Sequence, residues 1–454
     1  MNDIQTALLI DFGSTYTKVT AVDISGAMLI GSASAYTTAS SDVGEGLSLA
    51  LAELEKQTGQ TGYGKRLACS SAAGGLRMAA CGLAPELTAK AASLAALGAG
   101  AKITGIYSYE LIEEDIEKIN ASSPDILLLT GGTDGGNKKC ILHNAEMLAG
   151  AAGDYPIIVA GNRNCGREVM RILAARRAYL CDNVMPRVDE LNIEPARQLI
   201  RDIFLERIVS AKGLTQAADL RGGIIMPTPA AVLSAAEMLA KDMGELIVID
   251  VGGATTDVYS IAEGSPRGTN TICKGLPEPF AKRTVEGDIG MRYSVCGIVE
   301  AAGISRVAEL AGLLEADTAE RVKQLSRNTG SLPQTAEDKS LDFALASLAI
   351  ETASIRHAGS LEEVYTAFGL SYAQTGKDLT RVGNTILTGG ALLNAGRQAE
   401  LGVYAFYNEM HPQSLRPKKS KLLIDSHYIL AAMGLLGEYE PTAALGILKT
   451  NLGA

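Results

Sequence analysis

Tryptophan is absent, and aromatic residues make up only 5% of the 454. A chain so poor in flat rings offers few stacking platforms for single-stranded nucleic acid. Excess positive charge is missing as well. Lys and Arg number 41 against 51 Asp and Glu, a formal charge of −10, the wrong sign for displacing counterions from a nucleic-acid backbone. The seven cysteines (69, 81, 140, 165, 181, 273 and 296) include no C-x-x-C pair, and the four histidines (143, 357, 411, 427) have no ligand spacing. A zinc site and a disulfide framework are therefore unexpected, and reduced, mostly buried thiols are the reading. The first residues, MNDIQTALLIDFGS, have no basic region and reach an acid within their first apolar run, so no signal peptide is expected. The longest stretch of small apolar residues, 79–106, is interrupted by Glu86, Lys90 and Lys102 and does not read as a membrane span. A soluble cytoplasmic protein is the expectation.

What is present is enough apolar sequence, 47% of residues, to bury a large core across about three domain-sized units. The N-terminal segment reads as strands ALLIDF, Tyr16–Val22 and Met28–Ala33 around a Gly-Ser turn, then an amphipathic helix near 46–57 and a strand at Arg66–Ser70. An Ala-rich helical stretch over 76–98 follows. The strands ITGIYS, DILLLT, PIIVAG and AYLCDN then alternate with helices, the pattern of a parallel α/β sheet. A second strand–turn–strand spans Glu245–Ile261, a mainly helical region 284–376, and a third strand with a glycine turn Asn384–Asn394. The basic run RPKKSK at 416–421 reads as a solvated turn. GQTGYGKR at 59–66 resembles a phosphate-binding loop but puts Arg66 where Ser or Thr is needed, and it precedes a strand instead of following one.

The most informative feature is a repeat. LLIDFGSTYTKV (8–19) overlays IVIDVGGATTDV (247–258) without gaps. Ile10, Asp11, Gly13, Thr17 and Val19 fall on Ile249, Asp250, Gly252, Thr256 and Val258. Each copy has an Asp at the end of a buried strand, a glycine turn, and hydroxyls entering the next strand. A glycine turn lets backbone N–H groups converge on an anion, Ser and Thr add donors, and an Asp at a strand terminus can hold a hydrated Mg²⁺ through water. Two such hairpins facing across a cleft would grip a nucleotide's phosphates. TILTGGALLN (385–394) adds a strand opening into glycines, where an adenine or ribose could lie against the backbone.

In order, IDFGSTYTK, IIMPTPAAVLSAAE, IDVGGATTD, LTGGALLN and YILAAMGLLG resemble the five motifs of the actin, sugar kinase and heat-shock chaperone ATPase superfamily. The stretches TVEGDIGMRYS (284–294), PDILLLTGGTDGGN (124–137) and VAGNRNCGREV (159–169) narrow the resemblance to the MutL/GlmL family, which is distinct from the mismatch-repair protein of similar name. Members are encoded beside adenosylcobalamin-dependent mutases, glutamate mutase above all. The resemblance implies an α/β, actin-like ATPase fold of two ribonuclease H-like lobes around a nucleotide cleft, with an inserted parallel α/β domain in the N-terminal half. The expected division is an N-terminal lobe at 1–75, the insert at 76–185 as a possible partner-docking unit, helices and the first connecting segment at 186–240, a C-terminal lobe at 241–425, and the second connecting helix and tail at 426–454.

The resemblance also implies an ATP- and Mg²⁺-dependent, chaperone-like factor that exchanges damaged cobalamin on such a mutase. Asp11 and Asp250 match the Mg²⁺-associated and catalytic acids. Gly13, Ser14, Thr15 and Thr17 match the first phosphate turn, with Lys18 as a phosphate contact. Gly252, Gly253, Thr255 and Thr256 match the second turn, and Gly389 and Gly390 the adenosine loop. Asp257 is read either as a residue supporting the second turn or as a solvated strand-edge acid. The first connecting segment departs from the superfamily. Ile225-Met226-Pro227-Thr228 supplies no carboxylate or amide to orient a water, so slow hydrolysis is expected. The cobalamin-ligating D-x-H-x-x-G motif is absent. The competing readings are a small-molecule kinase of the same superfamily, with Asp125 or Asp134 as catalytic acid by position, and an actin-like filament protein. The client mutase and the oligomeric state are left open.

Overall fold

The computed structural model describes residues 5–13, 15–36, 43–71, 76–211, 224–268, 270–367, 369–390, 392 and 397–453. Its first sheet contains β1 (Thr6–Phe12), β2 (Tyr16–Asp23), β3 (Met28–Tyr36), β4 (Lys65–Ser70) and β10 (Ile224–Pro227), in the order β10-β4-β1-β2-β3. The meander β1-β2-β3 is antiparallel, and β4 and β10 are parallel to β1. A second sheet repeats this arrangement with β11 (Leu246–Val251), β12 (Thr256–Ile261), β14 (Ala281–Glu286), β17 (Asn384–Thr388) and β18 (Lys421–Ile424), in the order β14-β12-β11-β17-β18. Again the first three strands are antiparallel and the last two parallel to the first. Two sheets of one topology, half a chain apart, are the two ribonuclease H-like lobes of an actin-like ATPase fold.

A third sheet, with β5 (Leu76–Gly82), β6 (Ala101–Ser108), β7 (Ile126–Leu129), β8 (Ile157–Val159) and β9 (Ala178–Leu180), is wholly parallel in the order β6-β5-β7-β8-β9. It is inserted between β4 and β10 of the first lobe. A small sheet of β13 (Thr271–Lys274), β15 (Ser360–Thr366) and β16 (Gly369–Thr375) sits in the second lobe.

Successive side chains of a strand point to opposite faces, and the two lobes use this identically. In β1, Leu8, Ile10 and Phe12 join a core with Leu47, Ala50 and Leu54 of the helix Val43–Thr58 and with the insert. In β11, Ile247, Ile249 and Val251 pack on the helix Ala336–His357. The alternate residues, Ala7 and Leu9 of one strand and Leu246 and Val248 of the other, share one core with the helices Thr228–Met243 and Leu430–Gly437. Those two helices therefore stand between the lobes. They cross at Gly434, where a Cβ would lie 1.8 Å from the Ala231 carbonyl oxygen.

Three local expectations are corrected. Leu76–Gly82, expected to be helical, is the interior strand β5, buried at every residue but Arg77. The helix preference of its alanines, a few tenths of a kcal/mol per residue, yields to a place between two partner strands. Residues 360–375, expected within a helical region, form the hairpin β15–β16. In RPKKSK, Lys418 and Lys419 are exposed as expected, but Arg416 is fully buried, donating from Nη1 to the Tyr404 carbonyl and from Nε to Ser414 Oγ.

The Gly434 crossing yields a test. Alanine is intrinsically favoured over glycine inside a helix by about 1 kcal/mol, yet here its methyl meets backbone. Gly434→Ala should lower stability by about 1–3 kcal/mol in urea unfolding. An unchanged or raised midpoint would show that the helices do not rest on one another there.

Candidate functional site

The alternation that builds the shared core also aims the acids. Asp11 continues the series Ala7, Leu9, and Asp250 continues Leu246, Val248. Both carboxylates consequently leave their strands on the side of the connecting helices. Asp11 Oδ1 accepts 2.6 Å from Thr228 Oγ1, at the start of the helix Thr228–Met243, and 3.5 Å from Cys69 Sγ. Burial pushes the Cys69 thiol well up, so it stays a protonated donor. Asp250 Oδ1 accepts 3.2 Å from Tyr428 Oη, just before the helix Leu430–Gly437. Tyr428 takes φ +54, a left-handed conformation that costs a non-glycine residue about 1 kcal/mol or more. Asp425 anchors the segment by accepting from the backbone N–H of Ile429 and Leu430 and from Thr388 Oγ1. Lys18 closes the circuit, donating to Asp11 Oδ2 at 3.2 Å with its Nζ 3.4 Å from the centre of the Tyr428 ring. The two acids thus sit at opposite ends of one chain of contacts.

The two glycine turns are alike in detail. Gly13 N–H donates to the Tyr16 carbonyl at 3.2 Å and Gly252 N–H to the Thr255 carbonyl at 2.9 Å. At each glycine a Cβ would press on that same carbonyl oxygen, at 2.5 and 2.9 Å. The turns face one another, since Thr15 Oγ1 lies 3.1 Å from where a Cβ of Gly253 would be. Thr15 Oγ1 is buried with no hydrogen-bond partner among the described residues.

A cavity of about 260 Å³ opens between the turns. Of the residues expected at the site, Asp11, Gly13, Thr15, Lys18, Asp250, Gly252, Gly253, Thr255 and Gly390 line it. Thr17 and Thr256 do not; both are fully buried in the hairpin ladders, opposite Phe12 and Val251. Gly389 packs on Val251 instead of facing the cavity. Ser14 lies outside the described residues.

Charge differs between the copies. Lys18 stands opposite Asp11 in the first ladder, but Asp257 stands opposite Asp250 in the second. Asp257 is not a solvated edge acid. It is buried, it accepts from Thr255 Oγ1 at 3.0 Å, and Arg283 of β14 donates to its Oδ1 from Nε and Nη2 at 2.9 and 2.6 Å. Burial pushes Asp250 up to about 7; Lys18 and the Tyr428 hydroxyl pull it down, while Asp257 and Asp11 push it further up.

Sequence reasoning missed Tyr428, Cys69, Arg283 and Lys102, and saw Thr228 only as something other than a carboxylate. Tyr428 opens the quoted motif YILAAMGLLG and Arg283 adjoins TVEGDIGMRYS, but nothing in a linear pattern says that Tyr428 reaches Asp250 or that Arg283 reaches Asp257 across a ladder.

The Asp250 shift gives a pH-dependent prediction. In the unfolded chain its carboxyl titrates near 3.8 and in the fold near 7, so between these values the folded protein holds a proton that the unfolded chain has released. Stability falls as pH rises through that window. Asp250→Asn removes the charge. Its melting temperature should exceed that of the wild type at pH 8, with the gap closing toward pH 4; a gap independent of pH would contradict the assignment.

Among solved structures the chain is similar in arrangement to nucleotide-free acetone carboxylase, at 13% identity over 94% of this chain and 69% of that one, with a TM-score of 0.40. It is similar also to component A of (R)-2-hydroxyglutaryl-CoA dehydratase from Acidaminococcus fermentans, at 10% identity over 97% and 99% of the two chains, with a TM-score of 0.31. The activator of 2-hydroxyisocaproyl-CoA dehydratase from Clostridium difficile gives 9%, 96% and 95%, and 0.32. The sequence relationship is far closer. Protein MutL of Clostridium tetanomorphum is 46% identical over 455 residues, 98% of each chain. A family model described as MutL protein matches residues 7–452. A match running through both lobes and the insert places the chain in the MutL family.

Proposed function

We propose that the cleft binds ATP with Mg²⁺, and that the chain is an ATP-dependent, chaperone-like reactivating factor for an adenosylcobalamin-dependent mutase such as glutamate mutase or a related aminomutase. The observation that carries the nucleotide reading is the opposition of two equivalent glycine turns over one cavity, with Asp11 and Asp250 joined through Lys18 and Tyr428. The buried hydroxyl of Thr15, without a partner among the described residues, fits a phosphate oxygen as its acceptor. Asp11 and Asp250 enter the cavity from opposite lobes, which suits a cation that keeps most of its water and is held by one or two carboxylates. Such a cation, when bound, would supply positive charge beside the phosphate oxygens. Ser14, Thr17 and Thr256 belong to the proposed turns, Thr17 and Thr256 as buried support, and Gly389 and Gly390 to the adenosine loop.

This chain's own groups set the pace. The Thr228 hydroxyl is committed to Asp11 at 2.6 Å, and the Pro227–Pro229 segment offers no other side chain to hold a water. Asp250, titrating near 7, is suited to accept a proton at working pH. Hydrolysis is slow, as in a timing device. ATP held by both lobes favours the closed cleft, and loss of the terminal phosphate removes charge-assisted hydrogen bonds of roughly 1.5–3 kcal/mol each. Motion passes through the connecting helices that cross at Gly434.

The insert, which we place at 76–185, is the mutase-docking unit. Its strand order reverses direction between β5 and β7, and ligands and partners of open parallel sheets gather at the carboxyl edge beside such a point. The Gly-rich loop Thr130–Asn137 after β7 lies there.

An inactivated cobalamin mutase, mixed with the protein, ATP and Mg²⁺, should release its damaged cofactor, and Asp250→Ala should abolish the release. No release from any such mutase, or equal release by the variant, overturns the reactivase reading. ATP consumption stimulated about tenfold by a sugar or carboxylic acid would favour the kinase alternative.

A further inference from the structure

Four cations line the cavity, and three are already neutralised by a carboxylate that lines it too. Lys18 bonds Asp11, Arg283 bonds Asp257, and Arg292 donates to both oxygens of Asp342 at 3.1 and 2.7 Å. The side chain of the fourth, Lys102, has no hydrogen bond or ion pair among the described residues. It belongs to neither ATPase lobe. It is the second residue of β6, in the insert, and Leu76 and Gly100 of the insert line the cavity beside it. Asp250, the fourth carboxylate of the lining, accepts from the Tyr428 hydroxyl, so Lys102 is the lining cation that no lining carboxylate bonds among the described residues, and its charge is open to an anion.

Its side chain reaches the second lobe, where a Cβ on Gly287 would lie 3.7 Å from Nζ, and two contacts hold the start of its strand. A Cβ on Gly100 would lie 2.9 Å from Pro227 Cβ, so β6 starts against the segment whose Thr228 binds Asp11. From the other side Arg283 spans the cleft wall: its Nη1 donates to the carbonyls of Leu97 and Ala101, at 3.1 and 3.0 Å, while Nε and Nη2 hold Asp257. Asp257 in turn accepts from Thr255 of the second turn. A continuous run of charge-assisted bonds therefore leads from that turn to the residue preceding Lys102. Arg283 is buried, so these contacts are made in a water-poor setting where each is strong.

We infer that the insert completes the nucleotide site: Lys102 binds the distal phosphate of the triphosphate, and Arg283 is the positioning residue that locks the start of β6 to the second turn. The inference rests on the nucleotide reading above and adds the group that tells a triphosphate from a diphosphate. It also gives the insert a direct means of sensing hydrolysis. The sheet is parallel, so the amino ends of β5 and β6 meet the nucleotide while their carboxyl ends, about 20 Å away at roughly 3.3 Å per residue, carry the proposed docking edge.

The test compares a non-hydrolysable triphosphate with ADP, both with Mg²⁺, by calorimetry on the full chain. Lys102 is exposed, so Lys102→Ala should fold normally. It should weaken triphosphate binding by about tenfold or more while changing ADP affinity less than about threefold, and Lys102→Arg should restore the preference. Arg283→Lys, too short to span Asp257 and both carbonyls, should lose the same preference. In the wild type, the triphosphate but not ADP should slow amide exchange over residues 97–104. If Lys102→Ala binds both nucleotides as the wild type does, or loses both equally, the inference fails and the nucleotide reading stands. If the wild type binds neither, the nucleotide reading itself fails.

Discussion

Two carboxylates lie directly opposite one another in the ladder of the second hairpin, and the cleft is organised by how their charge is managed. Asp250 and Asp257 occupy the positions that Asp11 and Lys18 hold in the first lobe. The first hairpin is self-neutralising; the second is not. Its charge is met from outside, by Arg283 of the neighbouring strand and, more weakly, by Lys18 across the cleft. The second hairpin is not electrostatically complete alone. A buried acid pair of like sign is tolerable only where cations are held in place, and here they are held by the fold that the duplication creates.

That asymmetry also separates the duties of the hairpins. Asp257, tied by Arg283 and Thr255, is a rigid element of the wall. Asp250 keeps one phenolic partner and a raised affinity for a proton, which leaves it able to change state. Tyr428 sits in left-handed backbone between Asp425 and the second connecting helix, so whatever moves that helix moves the hydroxyl on Asp250. The small residues at the helix crossing set how closely the lobes approach, and the acids report it.

The duplicated hairpins were legible in the sequence because their constraint is local. A fully buried strand, a turn that excludes side chains and an acid of fixed parity leave a pattern within a dozen residues. The lobes followed from the pattern's recurrence. β5 and β10 were not legible: LRMAACG carries the composition of a helix, and IIMP is too short to show a period, so each is a strand only because partner strands lie on either side or at the edge. Arg283, Tyr428 and Lys102 were invisible for a different reason. Arg283 and Tyr428 meet acids 26 and 178 residues away, and Lys102 reaches the cavity from another domain-sized unit. The hydroxyls of Thr17 and Thr256 matched the motif but lie inside the ladders, because alternation turns them away from the cavity.

The placement of the insert has a consequence for the birth of the molecule. β10 completes the first sheet by pairing with β4, yet the whole insert separates the two in the chain. A ribosome delivers β1 to β4 first, then every strand of the insert, and only afterwards the edge strand and the helix that opens with Thr228. The insert's own pairings, all within residues 76–180, are available earlier than the closure of the lobe that carries it. Vectorial synthesis thus favours a guest that forms before its host is finished, leaving β4 an open edge until the guest is in place.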